Sequence, residues 1–317
     1  MTKVAVIGAG SFGKNHVRVV AENPRAELVY VVDSNMKRAK EFADSKGCLA
    51  VPSYTDVIGK VDAAILAVPT IAHCEVGEAL LNAGIDVLVE KPIAPTLAES
   101  QRLVTAAERN DRILQVGHLE RYNPAILALE GRTTLPLFFE VHRMSVFTLR
   151  SLDVDVILDL MIHDLDIVLS FTRSKLKEIR AAGISVLSPR VDIANVRLEF
   201  EDGCIANLTA SRVSTEKVRK LRLFQPKQYL SLDYATQALA AFTVGGADGI
   251  GFEQVPITPG EPLKLQFDAF LDSVETRQIP KLNGRVAHQT LETALAIVDK
   301  IGEHASVVSR TLAQWNP

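Results

Sequence analysis

Short apolar runs alternate with amphipathic stretches through the first 118 or so of this chain's 317 residues. The runs lie near residues 3–7, 28–32, 48–51, 61–67, 85–89 and 112–116, and the stretches between them have helical character. That alternation predicts a parallel sheet with helices on both faces. Residues 61–68 and 86–89 are short apolar runs, as expected of strands covered on both sides. They end in Val68-Pro69-Thr70 and Glu90-Lys91-Pro92, and an open α/β sheet gathers its ligands outside such carboxyl ends.

From about Tyr122 the pattern changes. A helix is expected near 124–130, a strand near 137–147 and a helix near 155–171, followed by alternating segments near 175–187, 192–200, 203–213, 217–225 and 228–234. Glu201-Asp202-Gly203 reads as a hairpin turn, which makes the second sheet mainly antiparallel. Gly245-Gly246-Ala247-Asp248-Gly249 marks a loop, and helices near 262–276 and 286–307 close the chain.

The first strand, Lys3-Val4-Ala5-Val6-Ile7, empties into Gly8-Ala9-Gly10-Ser11-Phe12-Gly13, and the second ends on Asp33, twenty residues after Gly13. That order is a dinucleotide-binding fingerprint. Gly8 permits the tight turn, Gly10 lets the backbone approach a pyrophosphate, and Gly13 lets the helix pack on the strand. The pyrophosphate then meets unpaired N–H groups at the helix start. Asp33 can accept both hydroxyls of an adenosine ribose and would repel a 2′-phosphate, which favours NAD over NADP; the nearby Lys37 and Arg38 weigh the other way. The fold class expected is α/β: a Rossmann parallel sheet over 1–120, then an α+β domain with a mainly antiparallel open sheet over 121–317.

Lysine plus arginine number 35 and aspartate plus glutamate 38, so the net charge is −3 and no overall basic field points to nucleic acid. No apolar run approaches the roughly 18 residues of a membrane span, so a cytoplasmic location is expected. Cys48, Cys74 and Cys204 form no CxxC pair, which argues against a disulfide framework or a zinc site, and no metal is expected.

Two segments carry candidate chemistry. At helical spacing Asp159, His163 and Asp166 fall within a sector of about 60°, opposite Ile157, Met161, Leu165 and Val168. So narrow a polar sector points into a partly enclosed space. An imidazole there suits general acid–base work, oriented by a carboxylate; a helix-stabilising His–Asp pair or a metal-ligand pair is the alternative. Lys91, at the ligand edge between an apolar strand and a proline, is either a site residue or a surface charge. Thr70 and His73 either touch the cofactor or simply begin a helix. Together with Gly8, Gly10, Ser11, Phe12, Gly13, Asp33, Glu90 and Lys91 they make up the expected cofactor contacts. Arg121 and Tyr122, in a segment that starts at His118, lie where the two domains join in sequence, as ligand contacts or as a hinge. His16 and His142 are within reach of a site, whereas His288 and His304 look like surface or packing residues. Arg212, Lys217, Arg219 and Lys220 form a basic cluster that is either a solvated edge or a contact for a phosphate-bearing substrate.

Taken together, Gly8-Ala-Gly-Ser-Phe-Gly13, Glu90-Lys91-Pro92 and Asp159-x-x-x-His163 with Asp166 resemble the Gfo/Idh/MocA oxidoreductase family over essentially the whole chain. The resemblance implies that Lys91, Asp159 and His163 form the catalytic constellation, that the peptide before Pro92 is cis, and that oligomers build on the open sheet. Many members carry glycines where this chain has Val156-Ile157-Leu158 and Met161, a departure that bears on the shape of the substrate pocket.

Residues 117–125, 158–166 and 207–214 resemble, more narrowly, the bacterial branch of the family that oxidises the C3 hydroxyl of UDP-N-acetylglucosamine, ahead of transamination to a 3-amino sugar of lipid A. That resemblance implies an NAD-dependent dehydrogenase of a nucleotide sugar, with Arg121, Tyr122, Asp166, Arg212, Lys217 and Arg219 as substrate contacts. A dehydrogenase of free sugars, cyclitols or UDP-N-acetylglucosaminuronate is the alternative within the class. A non-catalytic NAD-binding sensor is the alternative outside it, and the joint presence of Lys91, Asp159 and His163 weighs against it.

Overall fold

The structure, a computed structural model of the chain, describes residues 1–148, 154–245 and 249–314. They form two compact units: Met1–Leu119 with Glu261–Leu291, and Glu120–Gly260 with the chain from Glu292 on.

In the first unit β1 (Thr2–Ile7), α1 (Gly13–Glu22), β2 (Ala26–Val32), α2 (Met36–Lys46), β3 (Leu49–Val51) and β4 (Ala63–Leu66) follow one another, then α3 (His73–Asn82), β5 (Asp86–Glu90), α4 (Leu97–Arg109) and β6 (Leu114–Gly117). The six strands pair in parallel in the order β3-β2-β1-β4-β5-β6. The order reverses between β1 and β4, where such sheets open a crevice for ligands. Val4, Val6, Ile65 and Leu88 are wholly buried in the sheet, which explains why these strands read as unbroken apolar runs.

The second unit begins with α5 (Pro124–Glu130) and β7 (Phe138–Val146), continues through a π-helical turn at Ile157–Met161 into α6 (Ile162–Phe171), and then runs through β8 (Leu176–Ile184), β9 (Ile193–Phe200), β10 (Ile205–Ser214), β11 (Val218–Gln225), β12 (Gln228–Asp233), β13 (Ala238–Val244) and β14 (Ile250–Gln254). The sheet order is β14-β13-β12-β11-β7-β10-β9-β8, antiparallel except where β10 runs parallel to β7. One face is buried: Phe139, Val141, Leu208, Leu221 and Leu223 pack in one core with Leu165 and Val168 of α6. The other face carries a row of rings, Phe138, Phe224, Tyr229, Phe242 and Phe252, with successive centroids 4.8–5.9 Å apart.

The expected fold class is therefore observed, with three differences. Strands β13 and β14 flank the loop expected over 245–249, in stretches where no element was expected; of that loop, Gly246, Ala247 and Asp248 fall outside the described residues. The expected helix over 155–171 contains the π turn, so angular positions counted at α-helical spacing do not carry across Asp159 to His163. The chain also returns to the first unit after Gly260: α7 (Pro262–Thr276) sends Leu263, Phe267, Phe270 and Leu271 into the core of β1, β2 and α1, and α8 (Gly284–Gln314) begins in that unit and continues into the second. A division at residue 120 is corrected accordingly.

Truncating Phe270, which is fully buried in this returning helix, should cost about 3–5 kcal/mol. Chemical denaturation of Phe270→Ala followed by circular dichroism should show the first unit unfolding at lower denaturant; an unchanged midpoint would contradict the core assignment.

Candidate active site

The glycine loop is built by close backbone contact. Gly8 sits at φ 94°, and a β-carbon on it would lie 2.6 Å from the Ala67 carbonyl oxygen; one on Gly13 would overlap the Gly8 carbonyl. Gly10 differs, since among the described residues nothing lies within 4 Å of where its β-carbon would be. No side chain caps α1; the Lys14 and Asn15 N–H groups of its first turn donate to the Gly10 and Phe12 carbonyls, which turns the loop into the helix start beside that open space. Asp33 closes the loop from β2: Oδ2 accepts the Ala9 N–H at 2.9 Å and Oδ1 the Asn35 N–H at 2.8 Å. Each oxygen has further lone pairs for sugar hydroxyls. Arg38 Nη1 stands 3.4 Å from Oδ2, so the cation that would favour a 2′-phosphate is held by the carboxylate that disfavours it. The open cradle, uncapped helix and carboxylate fit a dinucleotide. Ser11 is exposed on the loop, and Phe12 sets its ring edge to His16, centroids 5.4 Å apart.

Glu90 ends β5, and the peptide from Lys91 to Pro92 is cis, as the resemblance implies. His16 of α1 places Nε2 2.7 Å from Glu90 Oε1. Lys91 and Thr70, which opens the turn before α3, are half-buried.

His73, expected either to touch the cofactor or to begin a helix, opens α3. It is buried between the two turns at the ligand edge, with Nδ1 3.0 Å from the Pro92 carbonyl oxygen and Nε2 3.0 Å from that of Val68, and its neutral ring can donate to one of the two. Burial pushes its pKa down, and the two carbonyls offset this only in part.

In the second unit Asp159 lies in the π turn and His163 in the first turn of α6, both half-buried. The acids that follow His163 turn inward. Asp164 accepts two hydrogen bonds from Arg143 of β7, at 2.6 and 2.9 Å, and Arg143 also donates to Glu120 at 3.1 Å while its guanidinium carbon lies 5.0 Å from the Tyr234 ring centroid. Burial alone would lower the Arg143 pKa; Asp164 and Glu120 outweigh it and hold the guanidinium charged. Burial, reinforced by Asp164, pushes the Tyr234 hydroxyl pKa well up.

Most of the residues expected to contact substrate are buried and engaged within the second unit. Arg121 Nη1 pairs with Asp166 at 3.5 Å, and the residue, like Tyr122 and Asp166, is buried. Burial likewise pushes the Tyr122 pKa up. Arg212 is buried too and donates to the Val154 carbonyl, near Asp192. These four side chains support α6 and its surroundings from within.

The basic cluster does not exist as one patch. Along β11 Arg219 shares the buried face with Leu221, whereas Lys220 shares the open face with Glu140, His142 and Arg222, and Lys217 sits exposed in the turn before the strand. Alternation of side chains across a strand separates sequence neighbours in this way. His142 likewise belongs to the open face, away from α6. Arg219 remains partly exposed, 3.9 Å from Glu120; burial and the Arg143 charge lower its pKa. Sequence reasoning missed Arg143 and Asp164, although an arginine at an inward position after Phe139 and Val141 was a signal that a buried partner exists.

Losing one partner of such a buried pair costs about 3–5 kcal/mol, so Asp164→Ala should lower the melting temperature by several degrees; an unaltered temperature would show the pair to be inconsequential. His73 predicts a pH effect. Its folded pKa is depressed, so the stability its neutral ring contributes is fully present above the unfolded value of about 6.5 and is lost as pH falls through the folded value. In His73→Gln the melting temperature should fall less steeply from about pH 6.5 to 5 than in the unaltered protein; parallel curves would contradict the assignment.

Comparison with known proteins accords with this geometry. Residues 2–118 match the oxidoreductase family with an NAD-binding Rossmann fold, and residues 127–229 match the Gfo/Idh/MocA C-terminal domain. The chain is 33% identical over 301 residues, 93% of its length and 96% of the relative's, to UDP-N-acetylglucosamine 3-dehydrogenase of Acidithiobacillus ferrooxidans. A solved structure of that enzyme superposes with a TM-score of 0.91 at 32% identity, covering 96% of this chain and 98% of the other. A myo-inositol dehydrogenase of Streptomyces leeuwenhoekii is 29% identical over 229 residues, 66% of this chain and 69% of its own. The chain is an oxidoreductase and belongs to the Gfo/Idh/MocA family.

Proposed function

We propose that the protein oxidises the C3 hydroxyl of a UDP-sugar, UDP-N-acetylglucosamine, to a ketone with NAD, supplying a 3-keto sugar for transamination toward a 3-amino sugar of lipid A. The observation that carries this reading is the likeness to UDP-N-acetylglucosamine 3-dehydrogenase, which extends over 93% of the chain and both units. Gly8, Gly10, Gly13 and Asp33 would hold the dinucleotide, which when bound supplies the hydride acceptor.

The chain's own residues would manage the proton. His163 accepts it from the sugar hydroxyl, Asp159 orients the imidazole and stabilises its charge, and Lys91 polarises the same oxygen or shares the base role. Arg219 is the side chain best suited to the diphosphate, because it is partly exposed and its nearest carboxylate, Glu120, is also engaged by Arg143. Among the described residues no group of three His, Cys, Asp or Glu side chains is placed to hold a metal ion, and no helix is long and apolar enough to cross a membrane. A second copy covering the aromatic row of the open sheet, in the cytoplasm, completes the reading. The inositol dehydrogenase relatives support oxidation of a cyclitol as the second reading.

The test is a screen of UDP-sugars, free sugars and cyclitols for NADH formation, with a transaminase or ketone trap to draw off product. UDP-N-acetylglucosamine should be oxidised; NADH from a cyclitol or free sugar alone would replace the proposal with the second reading. His163→Ala and Lys91→Ala should each lower kcat by about 10²–10⁴ with NAD binding little changed, and near-normal turnover in both would refute their roles. NAD should bind more tightly than NADP, and Asp33→Ala should narrow the gap by about tenfold or more, the worth of one charge-assisted hydrogen bond. Tighter NADP binding by the unaltered protein would overturn the cofactor choice.

A further inference from the structure

We propose that His16 is a positioning residue for Lys91, acting through Glu90 to lock the lysine-bearing turn to the helix that opens the cofactor loop. The inference rests on the proposed role of Lys91 and concerns the first unit alone.

His16 is fully buried one turn into α1, three residues after Gly13, and its Nε2 lies 2.7 Å from Glu90 Oε1. Its Nδ1 is buried with no hydrogen-bond partner among the described residues. The ring faces the Glu90 carboxylate through Nε2, where an N–H donates to Oε1. The second carboxylate oxygen, Oε2, accepts the backbone N–H of Lys91 at 3.3 Å. One carboxylate thus joins the α1 imidazole to the backbone of the lysine itself.

The slot that holds this carboxylate is built for it. Gly117 of β6 pairs in register with Glu90, and a β-carbon on Gly117 would lie 2.8 Å from the carboxyl carbon and from both its oxygens. Only glycine leaves room for Glu90 to turn inward toward His16. Phe12, in the cofactor loop, covers the imidazole edge-on. The loop expected to meet the pyrophosphate and the turn expected to meet the reacting oxygen are therefore tied by an imidazole–carboxylate contact.

Two substitutions separate positioning from packing. His16→Leu fills the space but has no N–H, whereas His16→Gln keeps a donor near the Nε2 position. Expected for Leu is a fall in kcat of about tenfold or more, the worth of a hydrogen bond to a charged group, with KM for NAD within about twofold; Gln should recover kcat to within about threefold. A readout independent of turnover is brief labelling of Lys91 with dilute acetic anhydride, read by peptide mass spectrometry without NAD. Leu should change the labelling rate and Gln should restore it. Should His16→Leu fail to fold, Gly117→Ala pushes the same carboxylate from the opposite side and should change the Lys91 labelling rate. Native kcat and native labelling in the Leu variant, or equal losses in Leu and Gln, would overturn the proposal. If the unaltered protein oxidises no UDP-sugar, the substrate reading fails, and the labelling comparison still decides the role of His16.

Discussion

One close approach governs the ligand edge of the first unit. The end of β1 lies so near the backbone that follows β4 that Gly8 has no room for a β-carbon, and α1 starts so near Gly8 that Gly13 has none. That contact sets where α1 begins, which in turn leaves open space at Gly10 and puts His16 within hydrogen-bond reach of Glu90. Asp33, at the end of the neighbouring strand, holds the same loop through the Ala9 N–H. The open space at Gly10, the hold of Asp33 on the loop and the placement of Lys91 all trace to backbone packing that only glycine permits.

The second unit uses buried charge where the first uses close backbone. α6 is mostly apolar and would sit on the sheet in several registers if packing alone decided. Asp164 and Asp166 remove that freedom, because each must meet an arginine, Arg143 and Arg121 respectively. Their net contribution to stability against an apolar equivalent is small, but an alternative register would strand a buried charge at several kcal/mol. Between Asp159 in the π turn and these two anchors, His163 occupies a defined position on a helix that cannot slide.

Much of this was legible in sequence, for a physical reason. Strands buried on both faces are local apolar runs, and the glycine fingerprint is a local backbone requirement, so β1 to β6, the loop and Asp33 could be read without tertiary knowledge. Strands β13 and β14 could not: Ala238-Leu-Ala-Ala has little strand character, and residues 250–254 are all exposed. The amphipathic face of α7 announced a helix but not which core would receive it. Sequence neighbours misled at Arg219 and Lys220, which the strand sends to opposite faces, and the seat of the His73 ring between the Pro92 and Val68 carbonyls could not be read from its neighbours. The buried partners Arg143 and Asp164, 21 residues apart, become a pair only when β7 and α6 meet.

The central claim, that a hydride leaves C3 of a UDP-linked N-acetylglucosamine, is tested most directly by isotope placement. NADH formation should slow when the sugar carries deuterium at C3 and proceed unchanged when it carries deuterium at C4, with the C3 label absent from the product. Retention of the C3 label, or slowing only with the C4 label, would contradict the account.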